Sequence, residues 1–245
     1  MTGQPFDFTG RSVVVTGAAG AIGTAVAGRF AQAGARVTGL DIRPGDGIIR
    51  CDIMDEVSIA RVLADVAAAG RVTDLVHCAG ALSVGDVLSV PTPELRRVLD
   101  VNLTGAFIIA RAVVPLMGRG AAITFLGSQA ASHGAPGWAA YCAAKAGVAR
   151  LVEALAKELG RSGIRVNAVC PGTVDSPMTR QAADLIAAGQ GADADTVKQR
   201  YERENPLGRM ATADEIAGVC LFLSSPLASY INGASIMVDG GDRPG

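Results

Sequence analysis

Short runs of β-branched residues alternate along this chain with longer Ala-rich segments of helical period, and no single motif constrains the fold as strongly. The runs are SVVVTG, ARVTGLD, GIIRCD, DLVHCAG, AAITFLGS, IRVNAVCPG and SIMVDGG. Several are apolar almost throughout, as strands are when both faces of their sheet are covered. Helices are expected between them at about 21 to 33, 56 to 69, 93 to 117, 138 to 160 and 212 to 224. The pattern predicts an α/β chain with a doubly wound, seven-stranded parallel sheet and helices on both faces. At 245 residues a single domain, 1–245, accommodates it, and no linker divides the chain. Composition agrees: 49% of residues are hydrophobic but only 4% aromatic, so small side chains let helices lie close on the sheet. The stretch 175–205 stands apart, being richer in charge and lacking a strand run. It reads as a mobile lid over a site, or as a solvated helical hairpin without a gating role.

Several classes of function are disfavoured at this stage. A formal net charge of -1, with no basic arm, offers no general attraction for nucleic acid or acidic membrane. Two long uncharged stretches, 120 to 144 and 216 to 238, are interrupted by polar residues and Pro, so neither reads as a membrane span. The opening MTGQPFDFTGR has no apolar core behind basic residues and is not read as a signal peptide. Cys51, Cys78, Cys142, Cys170 and Cys220 are scattered, odd in number and without a CxxC pair. They suggest neither disulfides nor zinc, and reduced thiols in the cytoplasm are expected. Two lone histidines, His77 and His133, do not make a metal site.

The first chemistry lies in TGAAGAIGTAVAGRF, a glycine-rich turn that leaves a strand and opens a helix. Gly17 lets the chain leave the strand sharply, Gly20 frees the turn, and Gly23 removes the side chain where helix meets sheet. The helix N-terminus can then receive a pyrophosphate through backbone N–H groups. Asp41, ending the next strand run, can accept hydrogen bonds from adenosine ribose hydroxyls and repels a 2'-phosphate. NAD is therefore expected over NADP, although Arg43 is close enough in sequence to hold that phosphate.

The second chemistry lies in SQAASHGAPGWAAYCAAK, where Tyr141 and Lys145 stand one helical turn apart after Ser128. Positions i and i+4 share a helix face, so phenol and ammonium reach one small volume. A positive charge at ~5 Å, with an effective dielectric of ~20, is worth about 3 kcal/mol, which would lower a tyrosine pKa by roughly two units. Such a phenol could act as general acid or base near neutrality.

Taken in order, TGAAGAIG, CAG at 78–80, VNLTGAF around Asn102, Ser128, YCAAK and CPGTVDS resemble the short-chain dehydrogenase/reductase family over nearly the whole chain. The resemblance implies a Rossmann-type fold and a catalytic set of Asn102, Ser128, Tyr141 and Lys145. Tyr141 would exchange a proton with the substrate oxygen, which Ser128 would also hold. Lys145 would lower the Tyr141 pKa and hold the nicotinamide ribose, and Asn102 would orient water joining Lys145 to solvent. For the cofactor, the resemblance adds Ile22 to the glycines and Asp41, puts Asp52 and Ile53 at adenine, and sets Ala79 and Gly80 along the groove. Pro171, Gly172, Val174 and Ser176 would meet the nicotinamide side.

The chain departs from the family pattern at Ala21, where a second glycine is usual, and at Ser176, where Thr is more frequent. His77 and Cys78 replace an Asn pair, a change expected to remove a stabilising side-chain hydrogen bond. The later motifs look most like the branch with cytosolic 3-hydroxybutyrate and 2-keto-3-deoxy-fuconate type dehydrogenases. Acid-binding members carry an arginine three residues before the tyrosine, where this chain has Trp138. Arg180 and Arg203 are candidate anion contacts or solvated surface charges. The expected function is NAD-dependent interconversion of a secondary alcohol and a ketone on a small polar substrate, a sugar, sugar acid, hydroxy acid or cyclic alcohol, with no metal and a homotetrameric assembly. The alternatives are an NADP-dependent 3-oxoacyl carrier-protein reductase type or a nucleotide-binding sensor, though a sensor would be expected to have lost Tyr141, Lys145 or Ser128. A serine hydrolase is disfavoured because LGSQA around Ser128 lacks the second glycine of a nucleophile elbow.

Overall fold

The computed structural model describes residues 6–242, so the first five residues of the opening stretch read above lie outside the described residues. The strands are β1 (Ser12–Thr16), β2 (Arg36–Asp41), β3 (Ile48–Arg50), β4 (Asp74–His77), β5 (Ala122–Leu126), β6 (Arg165–Pro171) and β7 (Ser235–Val238). They form one parallel sheet in the order β3-β2-β1-β4-β5-β6-β7. All seven expected strands are present. After β1 the chain winds outward through β2 and β3, then returns to place β4 on the other side of β1. That reversal opens a crevice at the C-terminal ends of β1 and β4, where ligands bind in doubly wound sheets.

The helices are α1 (Ala21–Gln32), α2 (Glu56–Ala68), α3 (Thr92–Leu99), α4 (Gly105–Val113), α5 (Ala139–Leu159), α6 (Pro177–Gln190), α7 (Ala194–Glu204) and α8 (Ala213–Ser224). Alternate strand residues feed two separate cores. Val14, Leu75, Ile123 and Phe125 pack with Ile59 and Val62 of α2, Ile109 of α4 and Val148 and Val152 of α5. Val13, Val15 and Val76 pack with Val26 and Phe30 of α1 and Ile216 and Leu223 of α8. Every residue of β1 and β5 is buried, which explains why these strands read as continuous apolar runs.

One helix differs from the sequence expectation. The helix expected at 93–117 is interrupted by a π turn, Asp100–Thr104, and ends in a 3-10 turn, Val114–Leu116. The interruption has a local partner: Asn102 Nδ2 donates to Val98 O at 2.9 Å and to Ala81 O at 2.6 Å. A side-chain amide of the widened turn thus serves a carbonyl of α3 just before it, and such turns often mark functional positions. The run Thr92–Leu116, unlike the two stretches weighed above, is long and apolar enough to cross a bilayer; by length and composition it also suits an internal helix. The stretch 175–205 contains a helical hairpin, α6 and α7, whose N-termini are capped by Ser176 and Asp193 and which encloses a small cluster of Ala183, Ala187 and Val197.

The first turn is set by close backbone approach. Gly17 has φ +66°, and a Cβ there would lie 2.6 Å from Ala79 N; a Cβ at Gly23 would lie 2.1 Å from Gly17 O. Alanine at Gly23 would gain about 1 kcal/mol of helix propensity, less than the cost of moving that backbone. Gly23→Ala is expected to destabilise the protein by about 2 kcal/mol, read as a melting temperature lower by several degrees. An unchanged or higher melting temperature would show that the turn relaxes freely.

Candidate active site

The C-terminal ends of β4, β5 and β6, with α5, α6 and α7, enclose a cavity of about 360 Å³. Asn102, Ser128, Tyr141 and Lys145 all line it, so residues from three separate segments converge on one space. Lys145 is only 4% exposed and donates from Nζ to Leu126 O at 2.8 Å, while its ammonium lies 5.6 Å from the centre of the Tyr141 ring. The i, i+4 spacing on α5 thus brings the two side chains together, as expected. Ser128 is fixed by its own turn, its Oγ accepting from Ala130 N at 3.1 Å. Asn102 is 1% exposed, and its Oδ1 is buried without a hydrogen-bond partner among the described residues. With Nδ2 spent on two carbonyls, that oxygen is an acceptor available to a small donor such as water.

The electrostatics correct one expectation. Tyr141 is pushed up to about 12, chiefly by burial, while a hydrogen bond with the Ser128 hydroxyl lowers it. Lys145 is pushed down to about 8, again chiefly by burial. The lowering of Tyr141 by Lys145 expected from spacing is not among the influences that set the phenol here, where burial dominates. An estimate with a surface-like dielectric counts the attraction between the groups but not the loss of water around each, and in a closed pocket that loss is the larger effect. The phenol keeps its proton here, which suits delivery to a developing alkoxide.

The residues expected at a dinucleotide fall in two groups. Ile22, Gly80, Pro171, Gly172, Val174 and Ser176 line the cavity, whereas Gly17, Gly20, Gly23, Asp41, Asp52, Ile53 and Ala79 do not. The second group lies along the ends of β1 to β4, the turns that leave them and, at Gly23, the first turn of α1. Asp41 is 7% exposed; its Oδ2 accepts from Ala19 N at 3.0 Å and its Oδ1 from Arg43 N at 2.9 Å. Arg43 Nε lies 3.4 Å from the same carboxylate. Asp52 accepts from Met54 N at 2.9 Å, and Ile53 is buried. Ser176 Oγ caps α6 by accepting from Thr179 N at 3.2 Å. Ala21 simply opens α1, where its methyl is partly exposed.

The site fits a nicotinamide dinucleotide. Gly20 caps α1 without a side-chain hydrogen bond, and the first turn of α1 has no acidic residue. Its N–H groups are thereby left to an external anion such as a pyrophosphate. Residues not singled out from the sequence also line the cavity: Gln129, Met178, Tyr201, Glu204 and Asp242. Gln129 had a signal in its adjacency to Ser128, but the others reach the cavity only through the folding of the hairpin and the last strand. Arg180 and Arg203 do not line it, and Arg180 lies 3.4 Å from Asp175.

Residues 17–242 match the family model described as enoyl-(acyl carrier protein) reductase. D-threitol dehydrogenase of Mycolicibacterium smegmatis is 36% identical over 257 residues, covering 96% of this chain and 95% of its own. The 3-oxoacyl-(acyl-carrier-protein) reductase MabA of Mycobacterium tuberculosis is 36% identical over 241 residues, covering 96% and 93%. Among solved structures, the ligand-free aldohexose dehydrogenase of Thermoplasma acidophilum aligns with a TM-score of 0.90 at 32% identity, over 98% of this chain and 96% of that one.

His77 overturns a further expectation. Far from removing a hydrogen bond, it places Nδ1 2.8 Å from Thr16 Oγ1, joining β4 to β1 beneath the crevice. Its ring also meets Phe125 edge to face at 5.8 Å. Burial first, and the Lys145 charge second, push its pKa down from 6.5 to about 3. Between those pH values the unfolded chain binds the proton and the folded chain does not. Stability from keeping His77 neutral is therefore full above pH 6.5 and is lost as pH falls towards 3. His77→Asn should lose several degrees less of melting temperature than the unaltered protein between pH 7 and about 4.5 in parallel calorimetry. Equal losses would mean that other groups govern the acid limb.

Proposed function

Because this chain belongs to the short-chain dehydrogenase/reductase family, we propose that it is an NAD-dependent oxidoreductase interconverting a secondary alcohol and a ketone on a small polar substrate. The observation that carries the reading is the meeting of Ser128, Tyr141, Lys145 and Asn102 in one cavity, each drawn from a different part of the chain except for the paired residues of α5. When bound, oxidised nicotinamide supplies the hydride acceptor and a positive charge beside the phenol.

The protein's own residues handle the proton and the alignment. Tyr141 gives its proton to the carbonyl oxygen as that oxygen gains negative charge, or takes it from the carbinol in the opposite direction. The Ser128 hydroxyl holds the same oxygen, so its charge and position are fixed together. Lys145, held on Leu126 O, keeps a cation near the phenol and is placed to hold a ribose hydroxyl. The buried Asn102 Oδ1 holds a water through which Lys145 exchanges protons with solvent. The turn at Gly17, Gly20 and Gly23, with Ile22, holds the pyrophosphate; Asp52, Ile53, Ala79 and Gly80 line the adenosine side, and Pro171, Gly172, Val174 and Ser176 the nicotinamide side. The hairpin α6 and α7 acts as a lid, since Met178, Tyr201 and Glu204 form part of the cavity wall.

Asp41 supports NAD, because a buried carboxylate at the end of β2 repels a 2'-phosphate. Arg43 supports a second reading, an NADP-dependent reductase of the 3-oxoacyl type, since its side chain is 60% exposed at the same place. The free thiols of Cys51, Cys78, Cys142 and Cys220 suit a cytoplasmic setting. Exposed Phe107, Leu227 and Tyr230 suit burial in a homotetramer.

Tyr141→Phe is expected to lower kcat by about 10³-fold while the dissociation constant for NAD changes no more than a few-fold, measured by steady-state rates and titration calorimetry. Substantial residual turnover would assign the proton to another group. Asp41→Ala should reduce the preference for NAD over NADP by about tenfold or more. A preference for NADP in the unaltered protein would instead favour the role of Arg43.

A further inference from the structure

Resting on the proposed alcohol and ketone chemistry, a second reading concerns what the substrate must look like away from its reacting carbon. Two carboxylates, Glu204 and Asp242, line the cavity, whereas its basic side chains among the described residues are Lys145 and His133. No arginine is present in that lining among the described residues. The two acids come from distant parts of the chain, one ending α7 and the other following β7. Their segments are tied by Asn205, which is buried and donates from Nδ2 to Asp239 O at 2.9 Å. The same side chain accepts from Leu207 N at 2.9 Å, so both ends of the junction are fixed.

Gln129 steadies the second acid. Its Nε2 lies 3.4 Å from Asp242 Oδ2, and a carboxylate that only accepts requires the NH₂ end of the amide to face it. Gln129 immediately follows Ser128, so the residue that meets Asp242 adjoins in sequence the group assigned to the substrate oxygen, and all of them line one cavity.

We infer that Glu204 and Asp242 form a specificity wall that accepts hydrogen bonds from the hydroxyl groups of uncharged polyols and excludes hydroxy acids, with Gln129 as the residue that positions Asp242. A hydroxyl donating to a carboxylate makes a charge-assisted bond. A substrate carboxylate would meet two like charges in a partly closed space, with no arginine among the described residues of the lining to offset them. The wall thus separates molecules of nearly equal size by charge and by hydrogen-bond donors. It also removes the hydroxy acids and sugar acids from the substrate classes compatible with the sequence motifs.

The test compares kcat/KM for a four-carbon polyol and the hydroxy acid of the same chain length, using the full-length protein with NAD. The unaltered protein should favour the polyol by at least about tenfold, and Glu204→Gln with Asp242→Asn should shift the ratio towards the acid by about tenfold or more. Glu204→Gln alone should shift it in the same direction. Raising salt from about 0.02 M to about 0.5 M should narrow the ratio for the unaltered protein, a reading that needs no substitution to fold. Equal use of the two substrates, preference for the acid, or a ratio moved less than twofold by the double substitution would overturn the inference while leaving the alcohol chemistry standing. Turnover of neither these nor other secondary alcohols, with NAD bound, would overturn the proposed reaction and this inference together.

Discussion

A parallel sheet covered by helices on both faces leaves polar groups little space except at its ends, and that constraint organises the molecule. The strand interiors form two dry cores, one shared with α2, α4 and α5 and the other with α1 and α8. Functional residues therefore gather where strands stop: Asp41 at the end of β2, His77 at the end of β4 with Gly80 just beyond it, Ser128 after β5 and Gly172 after β6. The reversal of winding between β1 and β4 keeps this end open, because neighbouring connections depart to opposite faces.

The same dryness sets the electrostatics. Burial moves Tyr141, Lys145 and His77 in the direction that favours their neutral forms, so at neutral pH the phenol is protonated and the imidazole uncharged while Lys145 remains largely a cation. A phenol in this state is a competent donor once negative charge develops on a nearby oxygen, and a cation bound beside it favours the reverse transfer. His77 contributes beneath the site by linking β4 to β1 through Thr16, a role a neutral imidazole can fill without introducing a second buried cation. The π turn at Asn102 completes the arrangement by directing a side-chain amide to two carbonyls and leaving its oxygen as an acceptor.

Family membership narrows the chemistry more than the substrate. The relatives include a threitol dehydrogenase and a 3-oxoacyl-(acyl-carrier-protein) reductase at the same identity, so overall similarity does not choose between polyol and acyl chemistry. The choice falls to the few groups that face the substrate. Trp138 occupies the position where an acid-binding relative would carry arginine, and its ring meets Tyr141 at 5.7 Å, giving the cavity an aromatic wall. The acidic wall at Glu204 and Asp242 points in the same direction, away from anionic substrates.

The sequence by itself determined the seven strands, the glycine turn and the pairing of Tyr141 with Lys145. These depend on local periods: alternation along strands, close approach at a turn, and the i, i+4 spacing of a helix. Tertiary structure alone decided the break at Asn102, because a π turn depends on partners at Ala81 and Val98 that helical periodicity does not encode. It also decided the hydrogen bond of His77 and the upward shift of Tyr141, since burial belongs to the assembled pocket and not to the spacing of two residues. Glu204 and Asp242 had no joint signal in the chain; they share a cavity because Asn205 ties the end of α7 to the segment after β7, and such through-space proximity exists only once the sheet has closed around it.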